Sequence, residues 1–225
     1  MISVIIPSRE PVEHTLVMPG IEFLNMHGGQ FVENCRKGFR ESKGEYILYL
    51  NDDAYIRPEG IRALAKYLDD HPDVAIVGPH LSPGPSYGNE PTLLNALCDF
   101  LRLPLVFTNL ARAQYGNLKE HDVDYVSGAC LMVRGGFADF SPAFTAFYED
   151  VDLCRRIRDY GFRVVYLPTV RVYHVGGASY VGEQKSRLMH DGLVTYLNRW
   201  HSPVYAAITV WLYEHRLFSS RCCLD

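Results

Sequence analysis

Short, uniformly apolar runs alternate along this chain with segments of helical spacing. Ile2-Ser3-Val4-Ile5-Ile6 is rich in β-branched residues and closes at Pro7, as expected of a strand buried on both faces. Glu45 to Leu50 is a second such run and stops abruptly at Asn51-Asp52-Asp53. Between them, Phe31 to Ser42 sets Phe31, Cys35 and Phe39 on one helical face and predicts a helix capped at Gly44. Pro58 to Asp70 predicts the clearest helix. Pro58 suits a first turn, and Ile61, Leu64, Ala65 and Leu68 share one apolar stripe. Val74 to Gly78 predicts another buried strand, completing the strand, helix, strand unit that builds parallel sheets.

Further along, Ser82 to Glu90 reads as a loop, and Pro91 to His121 is irregular apart from a short helix over Leu93 to Leu101. Tyr125 to Val133 is strand-like, interrupted at Ser127-Gly128. Val151 to Tyr160 predicts a helix closed by Gly161, followed by strands over Phe162 to Leu167 and Val170 to His174. After Gly176-Gly177, Glu183 to His215 is mainly helical, and no internal repeat or low-complexity stretch interrupts the series.

With 225 residues, 48% of them hydrophobic and 21% charged, the chain suits one α/β domain with a packed core. A net charge of -4 argues against nucleic acid as a partner. The six cysteines form no CxxC pair; buried, reduced thiols in a cytoplasmic protein fit that spacing. The N-terminal run lacks the basic region and long apolar stretch of a secretion signal. The apolar run Val204 to Tyr213 is about half of the ~20 residues that a membrane span needs. It reads as a helix packed on the domain, or as a contact with a membrane surface or a second subunit.

Two acidic clusters and one histidine are the candidate chemistry. Asn51-Asp52-Asp53 ends a strand, where open α/β sheets bind their ligands. Adjacent carboxylates repel, and a divalent ion with a preference for hard oxygen donors, Mg2+ or Mn2+, would compensate them and bridge to a diphosphate. A solvated turn leading into the Pro58 helix explains the same residues. In Tyr148-Glu149-Asp150-Val151-Asp152, the carboxylates suit either the positive end of a helix or a general base. His174 is a metal donor or a structural histidine, and Lys185 and Arg187 meet phosphate or only solvent.

In order along the chain, several pieces resemble the family 2 glycosyltransferases, especially their rhamnosyltransferase-like branch. They are Ser3 to Pro7, Gly44 to Asp53, His71 to Pro79, Val126 to Arg134, Glu149 to Arg156, Gly161 to Tyr166 and His174 to Gly177. The resemblance implies a GT-A fold, an α/β Rossmann-like and mostly parallel sheet flanked by helices, over residues 1–200, with 201–225 as a helical tail. It also implies an inverting glycosyltransferase using a nucleotide-diphosphate sugar, Mn2+ or Mg2+, and a glycan or lipid-linked acceptor. By that likeness Asp53, with Asn51 and His174, holds the metal. Asp150, with Glu149 as second choice, is the catalytic base. Pro7, Ser8, Arg9, Asp52, Ser127 and Gly128 line the donor site.

One departure stands out. Relatives follow the first strand with a helix and a second strand whose acidic residue meets the nucleobase. Here only Glu10 to Gly20 precede Ile21-Glu22-Phe23-Leu24, too few for a full helix and strand, so the base-binding wall is shortened or rebuilt. That shortening keeps a non-catalytic, glycan- or nucleotide-binding relative of the fold in view. A nucleotidyltransferase fits less well, because Pro7-Ser8-Arg9-Glu10-Pro11 lacks a glycine- and lysine-rich phosphate loop.

Overall fold

A computed structural model describes residues 1–11, 18–101, 119–176 and 180–219, with the side chains described as far as residue 215. Its first half contains β1 (Ile2–Pro7), β2 (Ile21–Met26), α1 (Phe31–Glu41), β3 (Tyr46–Leu50), β4 (Ala54–Tyr55), α2 (Pro58–Asp70) and β5 (Val74–Ser82). Next come β6 (Tyr87–Gly88), α3 (Leu93–Phe100), β7 (His121–Asp122), β8 (Tyr125–Val126) and β9 (Cys130–Arg134). The chain continues through α4 (Glu149–Asp159), β10 (Arg163–His174), α5 (Gly182–Trp200) and α6 (Pro203–Ser219).

The main sheet runs β2-β1-β3-β9-β5-β10-β4, with β7 also paired to β10, while β6 and β8 form a separate ribbon. β2, β1 and β3 are parallel, as are β5 and β10, but β9 is antiparallel to both β3 and β5. The fold is therefore a mostly parallel mixed sheet between helices, the GT-A arrangement. Strand alternation explains its two cores. Ile47 and Tyr49 of β3 face the layer of α1, α4 and α5, while Tyr46, Leu48 and Leu50 face α2. On α2, Ile61, Leu64, Ala65 and Leu68 are the buried residues, each worth roughly 1.5–3 kcal/mol of apolar burial if it is the size of leucine.

Three expectations need correction. Gly44 is not a helix cap: α1 ends at Glu41 with Ser42 as its cap. Gly44 instead passes β1, where an added Cβ would stand 2.5 Å from the Ser3 backbone nitrogen. The strands expected over 162–167 and 170–174 are one strand, β10, with an irregularity between Leu167 and Arg171 beside Pro168. The helix expected from Val151 begins at Glu149, so its carboxylates lie within the first turn. The mainly helical stretch expected over Glu183 to His215 is present as two helices, with a break at His201 and Ser202 ahead of Pro203. Gly161, by contrast, does follow the end of α4 with a positive φ of 86°.

Candidate active site

At the end of β3 the chain turns through Asn51, Asp52 and Asp53 into β4. The Asn51 N–H donates to Ala129 O (2.9 Å), and the Ala54 N–H returns to Asn51 O (3.0 Å). The end of β10 holds Asp53 from the other side. Val175 N–H donates to the Asp53 carbonyl and Gly176 N–H to its Oδ2, both at 3.1 Å. His174 Nε2 stands 3.1 Å from Asp53 Oδ1, with the two side chains only 17% and 11% exposed. That contact lacks hydrogen-bond alignment: buried Asp53 Oδ1 and Asn51 Oδ1 have no hydrogen-bond partner. Asp52 is exposed, yet desolvation at the turn and the Asp53 charge raise its pKa above the usual carboxylate value.

An oxygen-rich set with one imidazole suits a hard divalent ion, and two partnerless buried oxygens are what such an ion would satisfy. Asn51, Asp53 and His174 thus fit a metal. Among the described residues, no group of three or more His, Cys, Asp or Glu side chains could hold one by itself. A ligand would have to complete the shell.

The second acidic cluster opens α4. Gly128 N–H donates to Asp150 Oδ2 and Val151 N–H to Oδ1, each at 2.8 Å. Burial pushes the Asp150 pKa up, and these two N–H groups pull it back, leaving it raised. Glu149 is 5% exposed and its Oε2 has no hydrogen-bond partner. Burial, then the Asp150 charge, drives its pKa well upward, so the pair holds a proton more tightly than free carboxylates do. Phe147 and Tyr148, just before the pair, both adopt left-handed φ values of 64° and 65°. Strain of that kind in two bulky residues persists only when packing imposes it. Helix α5 packs closely against this bend: a Cβ on Gly192 would lie 2.6 Å from Phe147 O.

The clusters communicate through one short strand end. Asn51 bonds Ala129, whose neighbour Gly128 bonds Asp150, while Ser127 Oγ accepts from Ala129 N–H and Ser127 N–H donates to Ser86 O. Pro7, Ser8, Arg9 and Asp52 share a cleft of about 430 Å³ with Gly28, Gln30, Glu33, Asn34, Tyr180 and Gln184. Ser8 has a positioning role there, its hydroxyl donating to Glu10 O (2.6 Å) and its carbonyl accepting from Asn34 Nδ2 (3.0 Å). Lys185 and Arg187 lie exposed on α5 outside the cleft lining, and Gly177 falls outside the described residues.

Sequence reasoning missed several participants. Asn34 is buried and also ties both polar groups of Gly29; its polar side chain between Phe31 and Cys35 was the available signal. Asp152 is fully buried and receives Arg156 Nε, Arg199 Nε and Trp200 Nε1, all at 3.0 Å. Its spacing of four from Arg156 hinted at one partner only. Nothing local marks Tyr180, since its place in the cleft depends on how the chain returns after β10.

The acidic turn at the carboxyl end of the central strand β3 and the hydrogen-bonded carboxylate that opens α4 meet where open α/β sheets bind their ligands. The family model described as "Glycosyltransferase like family 2" matches residues 21–201, and the chain belongs to that family. It is 26% identical over 182 residues to the N-acetylglucosaminyl-diphospho-decaprenol L-rhamnosyltransferase of Mycobacterium tuberculosis. That match covers 74% of this chain and 59% of the relative, so the chain spans less than two thirds of that protein. Among solved structures, GalNAc-T7 with UDP, GalNAc and Mn2+ superposes with a TM-score of 0.56 at 13% identity, covering 89% of this chain and 39% of that one. A197 from STIV gives a TM-score of 0.52 at 14% identity, covering 81% and 86% of the two chains. These two likenesses concern the fold.

Proposed function

We propose that this chain moves a sugar from a nucleotide-diphosphate sugar to an acceptor hydroxyl with inversion at the anomeric carbon. The reading rests above all on the bonded path from Asn51 through Ala129 and Gly128 to Asp150, which joins an acidic turn to a carboxylate of raised proton affinity. Asp150 takes the proton from the acceptor hydroxyl. That oxygen bonds to the anomeric carbon as the bond to the diphosphate oxygen breaks on the opposite face. Burial and the Asp150 charge raise the proton affinity of neighbouring Glu149, which favours a single negative charge on the pair. Gly128 N–H holds Asp150 in orientation, and Ser127 and Gly128 border the sugar. Pro7, Ser8, Arg9 and Asp52 line the donor cleft. Asp53, Asn51 and His174 would hold Mn2+ or Mg2+, which would supply positive charge to offset that of the leaving diphosphate.

The acceptor is a glycan or lipid-linked, in keeping with the decaprenol diphosphate in the name of the mycobacterial relative. Residues 1–200 form the transferase domain and 201–225 a tail. Its helix α6 packs on α3, where Tyr205 Oη accepts from Leu93 N–H at 2.7 Å. Leu94 and Trp211 remain exposed on these two helices, which supports a contact there with a membrane surface or a second subunit. No helix among the described residues is long and apolar enough to cross a membrane. The four described cysteines are free and buried, in keeping with a reducing cytoplasm.

The test is incubation with Mn2+ and a panel of UDP-, dTDP- and GDP-sugars, with and without a polyprenyl-diphosphate sugar. Release of nucleoside diphosphate that depends on acceptor is expected, with inverted anomeric configuration in the product. No release from any donor, or retained configuration, would overturn the proposal.

A further inference from the structure

Among the described residues, β2 is the outermost strand on the β1 side of the sheet. The donor cleft is closed by a segment distant in sequence. Tyr180, just ahead of α5, faces the end of β1 and the first turn of α1. The Arg9 guanidinium lies 4.6 Å from the centroid of its ring, and the Phe147 ring lies 5.8 Å from it. The Tyr180 hydroxyl reaches Gln30 Oε1 at 3.4 Å. A flat, delocalised group therefore already rests on an aromatic face inside a cleft of about 430 Å³, within the range for small-molecule sites.

Building on the glycosyltransferase reading, we infer that the Tyr180 ring carries the donor's nucleobase, whose edge turns toward Gln30 and Glu33 while the diphosphate runs toward Asp52. The base replaces the guanidinium on the ring, and Arg9 is released toward the phosphates. Gln30 offers a carboxamide that both donates and accepts, and Glu33 a carboxylate that only accepts. That pair complements a base edge with a carbonyl beside a ring N–H, as in uracil, thymine and guanine. Tyr180, just ahead of α5, thus supplies an aromatic wall for the base.

Calorimetric titration of the full chain with Mn2+ present, using UDP and inorganic pyrophosphate, tests the assignment. Stacking on an aromatic side chain is worth ~1–3 kcal/mol per base, at about 1.4 kcal/mol per tenfold in affinity. Tyr180→Ala should therefore weaken UDP about tenfold and leave pyrophosphate unchanged. Tyr180→Phe should stay within about threefold of wild type, and Tyr180→Leu, which keeps bulk without a flat face, should behave as the alanine variant does. Unchanged UDP affinity in both the Ala and Leu variants, or an equal loss for pyrophosphate, overturns the assignment alone. Wild-type protein that binds none of UDP, dTDP or GDP overturns the glycosyltransferase reading and this inference with it.

Discussion

At Asp150, burial and hydrogen bonding oppose each other, and the balance sets the proposed chemistry. Burial raises its proton affinity, whereas the N–H groups of Gly128 and Val151 favour the anion. A base so tuned should lose activity in acid around a midpoint above the ordinary carboxylate range, which a kcat profile from pH 4 to 8 would reveal. Asp150→Asn keeps an oxygen for Gly128 but cannot accept a proton. It should lower kcat by roughly 10²–10⁴-fold while donor affinity by calorimetry stays unchanged; normal turnover would remove Asp150 as the base. Glu149 makes a separate prediction about stability. Its proton is held more tightly in the folded chain than in the unfolded one. The stability it contributes is complete below the unfolded carboxyl pKa and is lost as pH rises through the raised folded value. Glu149→Gln is neutral at every pH, so its melting temperature relative to wild type should climb between pH 4 and pH 8. A difference of ~1 kcal/mol would appear as about 2–4 °C. A constant offset across that range would mean that Glu149 ionises as it does when unfolded.

Between elements, the strained bend at Phe147 and Tyr148 depends on how closely α5 approaches it. Gly192→Ala would drive a methyl to within 2.6 Å of Phe147 O, and because the obstacle is backbone the bend or the helix must shift. Overpacking of this kind costs typically 1–3 kcal/mol. Thermal unfolding should show that loss, and kcat should fall with it because Glu149 directly follows the bend. Full activity in a destabilised variant would separate the strain from the chemistry. This contact also marks the limit of what the sequence discloses. Strands such as Ile2–Pro7 and Tyr46–Leu50, and the whole of α2, were legible because their apolar periods are local. The acidic turn and the Glu149-Asp150 pair were legible because they sit at predicted element ends. Gly44 was misread because its reason for being glycine is Ser3, some forty residues away on another strand. Tyr180 was invisible for the same physical reason, as its partners Arg9, Gln30 and Phe147 come from three separate segments.

Across the whole molecule, the helical layer opposite α2 is held to itself by charge as well as by apolar packing. Asp152 of α4 is entirely removed from solvent and gathers Arg156 from its own helix with Arg199 and Trp200 from the end of α5. A buried carboxylate is tolerable only with that degree of compensation, and removing its charge leaves two guanidinium groups competing for what remains. Read as part of an acidic cluster in sequence, Asp152 looked like a candidate for chemistry; in the fold it joins α4, which carries the proposed base, to α5, which begins beside the donor cleft. Asp152→Asn should therefore cost about 3 kcal/mol, lowering the melting temperature by about 6–12 °C at ~2–4 °C per kcal/mol. Below that transition the effect on donor affinity should be small, because Asp152 is not part of the cleft lining. A variant as stable as wild type would mean that the apolar contacts of α5 and α6 alone secure this layer. A stable variant that had lost donor affinity would instead mean that the angle of α5, set at its far end by Asp152, governs how Tyr180 and Gln184 close the cleft.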